Sequence, residues 1–251
     1  MKLASMMVAG LTMVAGVAQA QVVTATLTAP YAPGGTAIVS PFGYYMSPYS
    51  GTVDGGPAVR FNCVDYFHDV AVGQTWQANS TNLGAMVTAL QTNDLATLNS
   101  LVDNTRGGDN ALPPGDAVKM YQQAALLTTM FAANPGSDPT RSSAIQTAIW
   151  ELTNAAFPLS QQIGTGSATE NDTGFWVNYA TSNYATQTSG FYDQFNILTD
   201  VNHATGGTQE FIYSTPEPAT LTLLATGLFA VGAVGLKRRR KTFGTTAELL
   251  A

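Results

Sequence analysis

From Val22 to Thr28 apolar residues alternate with threonine, and a period of two predicts a strand with one buried face. Gly34-Gly35 and the stretch from Tyr44-Tyr45 to Tyr49 read as loops and short strands, with Pro41, Pro48 and Gly51 as punctuation. Ala58 to His68 carries the clearest strand pattern. Val59, Phe61, Cys63, Asp65 and Phe67 would fall on one face, and Asn62, Val64, Tyr66 and His68 on the other. From Asn82 the period changes. Leu83–Leu90 and Leu95–Val102 predict short helices, with Asn82 and Asp94 as N-caps. A longer helix is expected from Asp116 to Ala133, with Met120, Tyr121, Ala124, Leu127, Met130 and Phe131 along one stripe. Asp138 caps the next, Pro139 suits its first position, and Pro158 ends it beyond Ala156. A mixed helix covers Gly174–Tyr184, and strand character returns in Phe191–Leu198 and Glu210–Tyr213. Strands, a helical block and strands again predict an α+β domain: a β-rich sandwich or barrel framework with an inserted helical lobe.

The two ends have a different pattern. Lys2, an apolar stretch from Leu3 to Val17 and Ala18-Gln19-Ala20 read as an export signal over residues 1–20, cleaved to leave Gln21 as the first mature residue. Near the other end stand Pro216-Glu217-Pro218, then eighteen uncharged residues from Ala219 to Leu236, then Lys237, Arg238, Arg239, Arg240 and Lys241. Eighteen apolar residues suffice for a C-terminal transmembrane helix. The basic cluster stops transfer and keeps Thr242–Ala251 as a short cytoplasmic tail. In this order the three parts, residues 216–241, resemble the PEP-CTERM sorting tail of bacteria that make extracellular polysaccharide. The resemblance implies processing near Pro216–Pro218 by an exosortase-type membrane enzyme, and residence at the cell surface or in the extracellular matrix.

Residues 21–215 are left as one extracellular domain, long enough for a sizeable core. It holds four basic residues (Arg60, Arg106, Lys119 and Arg141) and fourteen acidic ones, a formal charge of −10. That balance leaves no basic footprint for nucleic acid. The chain has one cysteine, Cys63, so no intramolecular disulfide can form. A single cysteine in an exported chain is buried, joined to another molecule, or chemically committed.

Two segments carry candidate chemistry: Phe61-Asn62-Cys63-Val64-Asp65, and Ile145-Gln146-Thr147-Ala148-Ile149-Trp150. On a helix, Gln146 and Trp150 share a face beside the stripe of Ile145, Ile149, Leu152 and Ala156. A glutamine amide there needs a partner. The pair of segments resembles the thioester domains of bacterial surface adhesins, in which a strand cysteine precedes a glutamine in an apolar-Gln-x-x-apolar-Trp pattern. Tyr121-Gln122-Gln123-Ala124-Ala125-Leu126 fits the helix that comes before that glutamine in the family. The resemblance implies a Cys63–Gln146 thioester. Such a bond must be kept from water, and Phe61, Asp65 and Trp150 are the expected shielding residues; Asp65, expected on the strand face of Cys63, would also orient an incoming nucleophile. The resemblance also implies covalent adhesion to a surface or matrix polymer bearing amines or hydroxyls, with no cofactor and no catalytic turnover. The alternative is a non-covalent structural protein of the polysaccharide matrix in which Cys63 is buried and inert.

Other chemistries find less support. A cysteine protease needs a histidine on the thiol, and His68 is expected across the strand from Cys63, while His203 is expected in a loop. Two distant histidines make no metal site. Asp103 to Asp109 resembles a calcium loop but lacks the terminal bidentate glutamate.

Overall fold

The computed structural model describes residues 20–31, 36–109, 112–132, 135–164 and 169–215. Residues 1–19 of the expected export signal, the Pro216–Pro218 motif, the 219–236 apolar run, the basic cluster and Thr242–Ala251 lie outside the described residues. Among the described residues no helix is long and apolar enough to cross a membrane.

The N-terminal strands are β1 (Gln21–Ala29), β2 (Ile38–Val39), β3 (Tyr45–Met46), β4 (Tyr49–Val53), β5 (Val59–Cys63) and β6 (Thr75–Asn82). The helices α1 (Leu83–Gln91), α2 (Leu95–Val102), α3 (Arg106–Asp109), α4 (Pro114–Thr128), α5 (Pro139–Thr153) and α6 (Thr173–Asn183) follow without an intervening strand. The chain then returns to the sheet through β7 (Phe195–Asp200) and β8 (Phe211–Ser214). Six strands close a barrel in the order β1-β4-β5-β8-β7-β6, and β2 and β3 form a separate small ribbon. Every pairing is antiparallel. The fold is thus α+β, a closed barrel with a helical lobe inserted between two adjacent barrel strands.

Strand alternation divides the core in two. Phe61, Cys63, Leu198, Phe211 and Tyr213 join Val23, Ala25 and Trp76 in one buried cluster. Their neighbours Val64, Ile197 and Ile212 join the helical cluster with Leu83, Tyr121, Ile145 and Ile149. One sheet region therefore has apolar residues on both faces, one toward the barrel interior and one toward the helices. Trp150 is the exception on its helix. Ile145 and Ile149 pack in the helical core, while Trp150 packs in the barrel cluster. It therefore joins the two halves of the core.

Helix starts follow the caps read from the sequence. Asn82, Asp94 and Asp138 each accept a backbone N–H of the first turn of α1, α2 and α5. Asp116 is not a cap, since α4 begins at Pro114 and places Asp116 in its first turn. That helix also stops at Thr128, short of Ala133. The segment before β7 is a 3₁₀ turn over Ser189–Gln194, so the strand starts at Phe195 rather than Phe191.

The strand expected over Ala58–His68 ends at Cys63. Cys63 pairs with Phe211, and the chain then turns away. The expected parity fails beyond that point. Asp65 does not share a strand face with Cys63, and His68 is not set across a strand from it.

Barrel packing is tight beside β5. A Cβ built on Gly51 would lie 2.1 Å from the Phe61 ring, and Phe61 is fully buried and stacked on Phe211. Gly51→Ala is expected to destabilise the domain by about 1–3 kcal/mol, the usual cost of overpacking. Equilibrium urea unfolding checks it, and a change below the error of that measurement would count against the packing described.

Candidate functional site

The strand β5 ends at Cys63, and side chains of the helix α5 bond to Cys63 and to the residue after it. Four side chains of α5 and its C-cap follow one helical stripe, Gln146, Trp150, Thr153 and Asn154. Each meets the chain as it leaves β5. The Gln146 amide donates to the Cys63 carbonyl at 2.9 Å. The Trp150 indole N–H donates to the Cys63 sulfur at 3.1 Å. Thr153 and Asn154 both donate to the Val64 carbonyl, at 2.6 and 3.1 Å, and the Asn154 carbonyl oxygen accepts the Tyr66 N–H. The helix is thereby fixed in register with the cysteine.

A third element completes the arrangement. Ser47, just after β3, donates its backbone N–H to Gln146 Oε1 at 3.3 Å. Its hydroxyl accepts the Cys63 N–H at 2.7 Å. The Gln146 carboxamide is therefore held at both ends by backbone groups, its nitrogen by Cys63 and its oxygen by Ser47. Cys63 and Gln146 are both fully buried. The residues are 83 apart in sequence and are joined by one direct hydrogen bond, while Trp150, one turn along the same helix, makes a second bond to Cys63.

Electrostatics favour a neutral sulfur. Burial pushes the Cys63 thiol well above its ordinary value, opposed in part by the Trp150 hydrogen bond. A thiol so placed is a poor free nucleophile at neutral pH. A thioester at the same sulfur carries no charge and pays no such desolvation penalty. The Ser47 N–H points at the oxygen on which negative charge develops when the Gln146 carbonyl is attacked.

The other expected site residues are placed as follows. Phe61 lies two residues before Cys63 on the same inward face, stacked with Phe211 and edge-on to Trp76 and Tyr213. It fills the barrel beneath the site. Asp65 is committed elsewhere by its side chain. Its carboxylate lies 2.7 Å from His68 Nδ1 and 2.8 Å from Arg106 Nε, the latter an ion pair without hydrogen-bond alignment. Only its backbone carbonyl reaches the site, accepting from the Cys63 sulfur at 3.1 Å. The strand parity that set Asp65 beside Cys63 does not hold, because β5 ends at Cys63.

Sequence reading did not find Ser47, Thr153, Asn154, Arg106 or Glu210. The spacing of Gln146, Trp150, Thr153 and Asn154 was a usable signal, since polar groups at i, i+4, i+7 and i+8 mark one helix face. The others come from distant segments. Glu210 is buried and accepts from the Arg106 N–H, the Thr199 hydroxyl and the Tyr121 hydroxyl. Burial pushes its carboxyl up, and those three donors pull it back.

Trp150 also walls a cleft of about 230 Å³ on the outer side of the site, together with Tyr44, Tyr45, Tyr49 and Tyr66. Tyr66 meets the Trp150 ring edge-on at 5.2 Å and Phe157 at 5.0 Å.

No family model matches the chain, and no curated protein and no solved structure matches it.

Proposed function

We propose that this is an exported surface or matrix protein that captures its target covalently through an internal thioester between Cys63 and Gln146. The observation that carries the reading is the convergence on Cys63 of Gln146, through its amide, and Trp150, through its indole N–H. The site chemistry balances with the residues at hand. The Cys63 sulfur adds to the Gln146 side-chain carbonyl while the Ser47 N–H stabilises the oxyanion. The C–N bond then breaks, the former thiol proton leaves with the amide nitrogen, and one ammonia departs. A target amine later adds to the same carbon, the C–S bond breaks, the sulfur regains a proton and an amide links target to Gln146. The acyl group is consumed, so this is a single transfer and not turnover.

Burial has a clear purpose in this scheme. A thioester open to water hydrolyses, and both partner residues are fully buried. Holding the reacting groups together in a dry site supplies proximity and protection at once. The same buried, hydrogen-bonded pair also suits a non-covalent matrix protein with an inert cysteine. Intact mass separates the two readings. Freshly purified full chain, kept mildly acidic, is expected one ammonia lighter than its processed sequence. The unreduced sequence mass would defeat the covalent reading.

The location belongs to the same proposal. Export through residues 1–20, a membrane helix over 219–236 and exosortase-type processing at Pro216–Pro218 rest on the order of those motifs in the sequence. Deleting residues 216–251 is expected to move the protein from the cell fraction to the medium. Identical partitioning of full and truncated chains, read by immunoblot, would overturn the sorting assignment.

A further inference from the structure

The cleft outside Trp150 has a composition that the covalent reading does not require. A small nucleophile needs only a narrow apolar passage to reach an acyl group. This cleft is instead walled by five aromatic rings, those of Tyr44, Tyr45, Tyr49, Tyr66 and Trp150. Tyr44 and Tyr45 stand at its rim, 46% and 54% exposed. The Tyr44 and Tyr66 rings pack edge to face at 5.9 Å, with their hydroxyls 3.5 Å apart. Such a surface presents flat apolar faces and hydroxyl edges together, which matches a sugar ring, with its C–H faces and hydroxyl rim. At about 230 Å³ the space lies below the roughly 300–1,000 Å³ of drug-sized pockets, and suits one ring of a longer chain.

Charge selects among sugars. Among the described residues, Asp69 is the one charged residue lining the cleft. The domain around it carries a formal −10. A uronate polymer would meet repulsion, whereas an ammonium group would find Asp69 and the tyrosine faces.

We propose, building on the thioester reading, that this cleft binds a polysaccharide containing free amino sugars and presents its amine, once the ammonium has released its proton to solvent, past the edge of Trp150 to the Gln146 acyl group. Trp150 is the shared wall, lining the cleft and bonding the Cys63 sulfur. It acts as a positioning residue between recognition and transfer.

The test uses the full chain, with β-1,4-linked glucosamine oligomers, their fully N-acetylated forms, a uronate oligomer, a lysine-containing peptide and methylamine. Adduct formation at Gln146 is read by mass spectrometry. The glucosamine oligomer is expected to couple about tenfold faster than methylamine at equal amine concentration, a factor in the range of cation–aromatic contacts. In a Tyr44→Ala/Tyr45→Ala chain that ratio is expected to fall toward one, and Asp69→Asn is expected to lower it as well. Equal rates for the lysine peptide and the glucosamine oligomer would overturn the proposal, as would a ratio unmoved by the tyrosine substitutions. Equal coupling by the N-acetylated oligomer would overturn the role of the amine. If methylamine itself gives no adduct, the thioester reading fails and the cleft is judged separately. Calorimetry of the Cys63→Ala chain with the glucosamine oligomer then decides. Binding that is lost in the Tyr44→Ala/Tyr45→Ala background supports the cleft, and no binding overturns it.

Discussion

Methylamine is expected to add to Gln146 of the wild-type chain and to release a thiol on Cys63, and neither event is expected in Cys63→Ala or Gln146→Ala. The two substitutions remove different partners of one bond, so both should return the chain to its full sequence mass. Gln146→Ala also leaves the Ser47 N–H and the Cys63 carbonyl without their side-chain partners. A loss of stability of about 1–3 kcal/mol from the unsatisfied groups is expected there. Cys63→Ala removes the sulfur that accepts from Trp150 and donates to the Asp65 carbonyl, two weak sulfur hydrogen bonds, so it is the milder control. Because burial raises the Cys63 thiol, the free thiol in Gln146→Ala should resist alkylating reagents in the folded chain and react after unfolding. Capture of a target surface should vanish in both variants while circular dichroism stays that of the wild type. An amine adduct in Cys63→Ala would show that Gln146 is not activated by that sulfur, and the mechanism would fall.

Much of this site was legible in the sequence because its signals are local. Gln146 and Trp150 are four apart on a helix with clean ends, Asp138 and Pro139 at one and Asn154 at the other. Cys63 ends a strand whose last three residues, Phe61, Asn62 and Cys63, are all buried. What was lost needed long-range information. Thr75–Asn82 pairs with both β1 and β7, yet its sequence is almost wholly polar, so no hydrophobic period announced it. Polar residues suffice there because ladder partners on both sides satisfy the backbone, and only Trp76 and Ala78 need to face the barrel core. The end of β5 was also invisible. Val64, Asp65, Tyr66 and Phe67 continue the alternation, but the chain leaves the sheet because Thr153 and Asn154 take the Val64 carbonyl that a further strand would use. No period within residues 58–68 encodes that competition. Barrel closure, in turn, depends on β8 pairing with β5, strands separated by the whole helical lobe.

The buried ionic cluster beside the site carries the other large expected effect. Arg106 is nearly buried and sits at the centre of it. Its guanidinium approaches Asp65 and donates to the carbonyls of His203, Gly206 and Thr208 in the β7–β8 connection. Its backbone N–H donates to Glu210, whose backbone carbonyl in turn accepts from Val64 next to Cys63. Removing the side chain would leave the Asp65 carboxylate without its arginine and take a donor from three carbonyls, of which His203 keeps the Gly206 N–H. Arg106→Ala is therefore expected to destabilise the domain by about 3–5 kcal/mol, as when one partner of a buried pair is deleted. In a domain of this size that is a fall in Tm of order 10 °C. Arg106→Lys keeps the charge but loses the planar fork that serves several acceptors at once, so it should fall between the two. Scanning calorimetry of the three chains checks the order. The proposed thioester would provide an independent readout, because a loosened connection beneath Val64 should admit water to Cys63 and shorten the lifetime of the expected ammonia-loss species. An Arg106→Ala chain with wild-type Tm and an equally long-lived bond would mean that Asp65 and the β7–β8 connection do not depend on this guanidinium.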